Sequence, residues 1–371
     1  MTLILTLLAW LFSWVFGSLG NSVNCRGNNL DLKISGCTAL LESGHETQAV
    51  QAMAFSNRGF AWLSKGQNDQ ALMDLNQAIA LDPKNAIAYN NRGVVYSRKR
   101  QFDQAIADYT KTITFAPDFA SAYDNRGREY VKKGLTDEAI ADFNKAIALK
   151  PDFAAAYSHR SYVFRTNGRE DDAITDATKA ITLKPDFAEA YDARSDAYIM
   201  KGMAEPAIAD LTQAIALDPK RAFLYNERGI ARSRARHLDD AIADFSQAVE
   251  LQANFAEPYG NRCSAYAKQG LFDKAIADCD KMVALRPDDF RAYNERGWTY
   301  HLKGEDAKGL PDAEKAVALA PTNAASLETR AEIYERLGRH DGAIADYRAA
   351  LALDTHMQLA LDGLKRLGAD P

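Results

Sequence analysis

An all-α solenoid of about nine helix-turn-helix units is the fold the sequence predicts, on three observations. Prolines recur at Pro83, Pro117, Pro151, Pro185, Pro219, Pro287 and Pro321, every gap being 34 residues or a multiple of it. The two remaining places in that series hold Ala253 and Thr355, so nine units fill residues 52–357 without an insertion. With proline at position 32 of each unit, aromatic residues at positions 4 and 11 and a small residue at position 8 share one helix face at the 3.6-residue period. Glycine at position 15 (Gly66, Gly134, Gly168, Gly202, Gly270, Gly304 and Gly338) then supplies a left-handed helix end. Such a hairpin cannot bury its apolar faces alone, so neighbours must stack.

No charged side chain precedes Arg26, and an almost unbroken apolar run extends from Leu3 to Phe16. Gly17, Ser18, Leu19 and Gly20 follow, with small residues placed for a cut after Gly20. Residues 1–20 are read as a secretory signal peptide, although no basic residue precedes the run. Two alternatives stay open. One is an uncleaved membrane anchor, because about 20 apolar residues span a bilayer; the other is a misassigned start codon. The first two readings export the rest of the chain to a periplasmic or extracellular space. Residues 21–51 are read as a degenerate half-repeat covering the first unit. Asp31 to Leu41 matches the second-helix stretch Asp103 to Ile113, displaced by four residues from the regular register.

Position 4 is aromatic in eight units, from Phe55 and Tyr89 to Tyr293, and position 11 is aromatic except at Arg232. A second apolar face follows at positions 20, 21, 24, 27 and 28, as in Ala105, Ile106, Tyr109, Thr112 and Ile113. The proline closes this second helix, which it cannot continue. The pattern resembles the tetratricopeptide repeat family, bacterial and exported in type. That resemblance implies a right-handed superhelix whose first helices line a concave groove. One position departs from the family. Position 7, usually Leu, is Arg in all nine units, as in Arg58, Arg92, Arg126 and Arg296; position 23 is Asp in all nine, as in Asp74, Asp108, Asp142 and Asp312. The two positions stand at equal height on either side of the turn, which predicts an Arg–Asp ladder within a unit or to its neighbour. In unit eight, Gly309 and Pro311 predict a shortened or kinked second helix. Residues 358–371 are read as a capping helix, with Leu361, Leu364 and Leu367 on its apolar side.

Lys and Arg total 45 and Asp and Glu 50, a net charge of -5 that argues against a nucleic-acid partner. Cys263 and Cys279, at positions 8 and 24 of one unit, face each other across a hairpin; Cys25 and Cys37 flank the turn residues Gly27, Asn28 and Asn29. Two bridges are expected in an exported chain, the alternative being four small buried hydrophobes. The six histidines form no ligand spacing, no nucleotide or nucleophile motif occurs, and no segment outside the array is large enough for a catalytic domain. Neither enzyme activity nor a cofactor or metal is expected.

The resemblance assigns positions 2, 5, 6, 9, 12 and 13 to the groove. Asn57, Asn91, Asn125 and Asn261 at position 6, with Asn90, Asn226 and Asn294 at position 5, form a row of amides able to bond an extended peptide; the alternative is tolerated surface asparagine. Position 9 varies most and includes Arg128, Tyr162 and Trp298. Arg98, Arg128, Lys132 and Arg165 make the early groove basic, while Glu189, Asp192 and Asp196 make the middle acidic. Ser56 and Phe60 stand where a chaperone-binding carboxylate clamp requires Lys and Asn. The expectation is a non-enzymatic scaffold that binds a protein or peptide segment in its groove. The alternative is a membrane-tethered component of envelope assembly, held by residues 1–20 and acting through its convex face or ends.

Overall fold

A computed structural model describes residues 20–370, and every regular element among them is a helix. The signal-peptide reading concerns residues 1–20, of which 1–19 lie outside the described residues. The chain divides into two compact units, one ending at Pro185 and the other beginning at Asp186. The first contains a helical turn over residues 20–26, the helix Leu30–Glu42 and four hairpins; the second contains five hairpins and the helix Gln358–Arg366. Among the described residues no helix is long and apolar enough to cross a membrane.

In the third hairpin, Ala120–Lys132 runs up and Thr136–Leu149 runs back. The turn between them is the same in every unit. Position 15 has positive φ, +67 to +83° at the seven glycines. The next residue donates its backbone N–H to the carbonyl of position 11, as in Leu135 to Tyr130 at 2.9 Å. This bond satisfies a carbonyl that the helix end would otherwise orphan. Units two and six hold the same left-handed turn with Arg100 (φ 59°) and Arg236 (φ 65°), so the geometry outlives the glycine. At the other end, position 31 is extended, as at Asp82 (φ -132°) and Lys150 (φ -137°), the conformation a following proline demands. Gln252 and Asp354 adopt it before Ala253 and Thr355. Tyr123, Tyr225, Tyr259 and Tyr293 at position 4 donate their hydroxyls to the position 32 carbonyl of the preceding unit, at 3.0 to 3.3 Å.

The core of each hairpin follows from matched sizes at positions 8 and 24. Tyr109, Phe143 and Phe245 are almost fully buried at position 24. Gly93, Gly127 and Gly229 lie opposite, where a Cβ would come within 2.5 to 2.9 Å of those rings. Burying one such ring contributes about 2–3 kcal/mol, and only a residue without a side chain leaves room for it. Alanine at position 20, fully buried in eight units, lets the two backbones approach.

Unit eight corrects one expectation. Its second helix, Asp306–Leu319, starts at the same position as the others and has the same 14 residues. Pro311 is accommodated inside the helix without shortening it. Gly309 instead permits close contact: a Cβ there would lie 2.8 Å from the Gly297 carbonyl oxygen. At the C-terminus, Ala360, Gly363 and Leu364 are buried against Tyr347 and Leu351, and Gly368 ends the helix with φ 65°.

Candidate interaction groove

The arginines at position 7 and the aspartates at position 23 meet in all nine units. Each guanidinium donates Nε and Nη2 to the two carboxylate oxygens of its own hairpin, at 2.6 to 2.9 Å. This is the bidentate fork that arginine, unlike lysine, can make. The remaining nitrogen reaches the preceding unit. Nη1 of Arg92, Arg126, Arg160, Arg228, Arg262 and Arg296 donates to Asn76, Thr110, Asn144, Thr212, Ser246 and Asp280 at position 25, at 2.5 to 3.2 Å. Arg58 does the same to Thr38, 20 residues back instead of 16, which is the four-residue displacement of the leading segment. The guanidinium carbon sits 5.3 to 6.0 Å from the position 4 ring in eight units, within range of a cation–π contact. The carboxylate bonds raise the pKa of Arg92, Arg126, Arg160, Arg194, Arg262 and Arg330 above the ordinary guanidinium value. In unit six, Arg232 replaces the position 11 ring and adds a second ion pair to Asp244, at 2.7 Å.

The groove asparagines are engaged mostly with one another. Asn125 at position 6 donates to Asn90 at position 5 of the preceding unit (3.1 Å), and Asn261 does so to Asn226 (2.9 Å). His159 and Asp124 fill the same slot at 2.8 Å. Asn57 donates to the Cys25 carbonyl at 3.2 Å. Asn91 is 7% exposed and Asn226 3% exposed. Asn294 keeps a buried Oδ1 without a hydrogen-bond partner. The amides are therefore chiefly ties between repeats, and the continuous free row that a peptide backbone would need is not present among them. The sequence signal for this was a spacing of 35 residues between polar pairs. In the middle stretch, Asp192 is tied to Arg221 at 3.1 Å.

Two cavities occupy the positions assigned to the groove, one in each compact unit. The first, of about 190 Å³, is lined by Arg128, Val131, Lys132, Phe143, His159 and Tyr162. Tyr162 is 47% exposed there, and the Arg165 guanidinium lies over its ring at 5.1 Å. Lys132 is held by Glu129 and Ser97 at 2.8 and 3.0 Å. The second, of about 370 Å³, is lined by the polar residues Asn226, Glu227, Glu257, Asn261, Ser264, Arg291 and Glu295 together with Ile230, Gly260 and Met282. Every residue lining it is at position 2, 5, 6 or 9 except Met282. Burial pushes the Glu295 carboxyl up, against the pull of a hydrogen bond from Ser264 and the charge of Lys268. Trp298 lines neither cavity; it is half-buried and stacks on His301 at 5.0 Å. Cys25 lies beside Cys37 and Cys263 beside Cys279, all four buried, with Cα–Cα distances of 4.6 and 5.6 Å. Among the described residues no group of three or more His, Cys, Asp or Glu converges to hold a metal ion.

Stacked helix hairpins with cavities along one row of positions define a helical-repeat scaffold for protein–protein interaction. The chain belongs to the tetratricopeptide repeat family. Models described as TPR repeat match residues 59–100 and 127–168, and models described as tetratricopeptide repeat match 86–119, 154–187, 188–221, 226–290, 262–324 and 324–356. Comparison with the curated proteins gives no match. Among solved structures, a tetratricopeptide repeat protein from Parabacteroides merdae is similar at TM-score 0.56 and 18% identity, covering 67% of this chain and 98% of that one. The APC/C hetero-tetramer Cut9-Hcn1 gives 0.58 and 14% over 91% of this chain and 81% of that one. PilW, a type IV pilus biogenesis factor, gives 0.52 and 19% over 57% and 98%. At these identities the likeness is one of fold.

Proposed function

We propose that the protein is an exported, non-enzymatic scaffold that receives an extended segment of a protein partner along its first helices. The observation that carries this reading is that, apart from Phe143 and Met282, every residue lining the two cavities stands at position 2, 5, 6, 9, 12 or 13. The nine Arg–Asp pairs serve the frame: their charges are already matched within each hairpin, so they set register between helices instead of meeting a ligand. The residues that face the partner are Arg128 and Tyr162 at the first cavity and the carboxylates lining the second, with Trp298 at position 9 of a later repeat; the asparagines hold the repeats together behind them.

Export rests on the uncharged segment before Arg26 and on the two close cysteine pairs, which act as disulfides in an oxidising compartment. The test is partner capture by tagged protein. Tyr162→Ala with Arg128→Glu should abolish capture while leaving the helical circular dichroism and melting unchanged. Capture that survives this double substitution and also survives Glu257→Gln with Glu295→Gln would remove the groove reading. The tethered envelope component acting through its convex face would then remain.

A further inference from the structure

The lining of the larger cavity includes one repeat that departs from the pattern at two positions together. Position 5 carries a polar side chain in the other eight units but is Gly260 here; position 27 is Ala or Thr elsewhere but Met282 here. A Cβ at residue 260 would meet the Met282 sulfur at 2.4 Å, so the methionine fills the small residue's space. In three other units the position 5 side chain bonds position 6 of the next unit: Asn90 with Asn125, Asp124 with His159 and Asn226 with Asn261. Glu295 stands at that position 6 and has a glycine opposite, so its carboxyl faces a cavity of about 370 Å³.

We propose that this cavity holds the basic side chain, lysine or arginine, of the extended partner segment. The inference deepens the groove reading and rests on it for the direction from which the side chain enters. Three carboxylates line the space: Glu227, Glu257 and Glu295. The guanidinium groups beside it are already engaged. Arg286 takes Glu257 Oε1 at 2.6 Å, and Arg291 is forked onto Asp289 at 2.9 and 2.7 Å. Glu257 Oε2 is buried with no hydrogen-bond partner, so the carboxylate that Arg286 holds by Oε1 keeps one unused acceptor. Ile230 and Met282 give the lining apolar surface suited to a methylene stem, beside the carboxylates that would take the charge. No group of three or more metal-ligating side chains converges among the described residues, which favours an organic cation over a metal ion.

The test uses the whole chain and fluorescent, end-capped alanine octapeptides bearing one central lysine, arginine, norleucine or glutamate. Binding is read by anisotropy and located by the methionine-methyl NMR signal of Met282. The lysine or the arginine peptide should bind and shift that signal, while the norleucine and glutamate peptides should not. Glu257→Gln and Glu295→Gln should each weaken binding about tenfold, the worth of one charge-assisted bond. Gly260→Asn with Met282→Ala restores the pattern of the other repeats, filling the place opposite Glu295 with an amide while keeping all three carboxylates; it should abolish binding. Equal binding of norleucine, undiminished binding to the filled variant, or binding by no peptide would overturn the proposal. If the lysine peptide binds but partner capture ignores both cavities, the groove reading fails and the pocket stands. If capture needs Tyr162 but no basic peptide binds, the reverse holds.

Discussion

Removing the carboxylate from one rung of the Arg–Asp ladder should destabilise the protein far more than a surface ion pair would. Asp142→Ala is the clearest case. The Arg126 and Asp142 side chains are 17% and 8% exposed, joined by two bonds of 2.8 Å. Arg126 also ties the hairpin to Thr110 at 3.0 Å and lies between the Tyr123 and Tyr130 rings at 5.9 and 5.7 Å. It cannot swing into water without giving up those contacts, so the truncation leaves a half-buried charge unmatched. Losing one partner of a buried pair costs about 3–5 kcal/mol; an exposed pair is worth about 0–1. Because Arg126 keeps some solvent access, the expected cost is about 3 kcal/mol. Replacing both residues by Leu, the usual family residue at position 7, should restore most of it, since a packed apolar pair can equal an ion pair. Urea titration followed by circular dichroism reads the three variants against the parent. A cost for Asp142→Ala below about 1 kcal/mol would refute the reasoning. So would a double variant less stable than the single one.

Further outcomes follow from the turns, the cysteines and the buried acid. Arg100→Gly and Arg236→Gly, at the two left-handed positions lacking glycine, should each stabilise by about 1 kcal/mol in the same titration; a loss would show that those arginines make contacts worth more than the strain. Reducing Cys263–Cys279, which closes a 16-residue separation, should cost about 3 kcal/mol, and natively produced protein should show no labelled thiol before reduction. Glu295 is held protonated more readily in the folded state, because burial raises its pKa. Its stabilising contribution is therefore full below the ordinary carboxylate range and lost as pH rises through its folded value. Glu295→Gln should be more stable than the parent at neutral pH and equal to it in acid; a constant difference across pH would count against this assignment.

The hairpin frame was legible because its determinants are one-letter rules that recur along the array: glycine for the left-handed turn in seven of nine units, proline after an extended position 31 in seven, a small residue at position 8 in all. The Arg–Asp pairing was legible for the same reason. Its second contact was not, because the acceptor at position 25 changes among Asn, Thr, Ser and Asp, and only its polarity is kept. The asparagine row was visible, but the residues that occupy it were not. Asn125 and Asn261 look free until the polar residue 35 positions earlier is seen to be their partner. Pro311 shows the limit of a local rule: with Gly309 it predicts a shortened or kinked helix, yet Asp306–Leu319 keeps its 14 residues and Gly309 allows the closer packing beside it. The larger cavity needed the fold, since Gly260 and Met282 lie 22 residues apart and mean something only together.

A photo-crosslinking amino acid at residue 162, compared with one at residue 73, tests the central claim most directly. Tyr162 borders the first cavity, whereas Met73 is 72% exposed on a second helix, outside both cavities. Mass spectrometry of the crosslinked species in producing cells should find one partner segment attached at residue 162 and none at residue 73. Crosslinks at residue 73 alone would contradict the groove as the working surface.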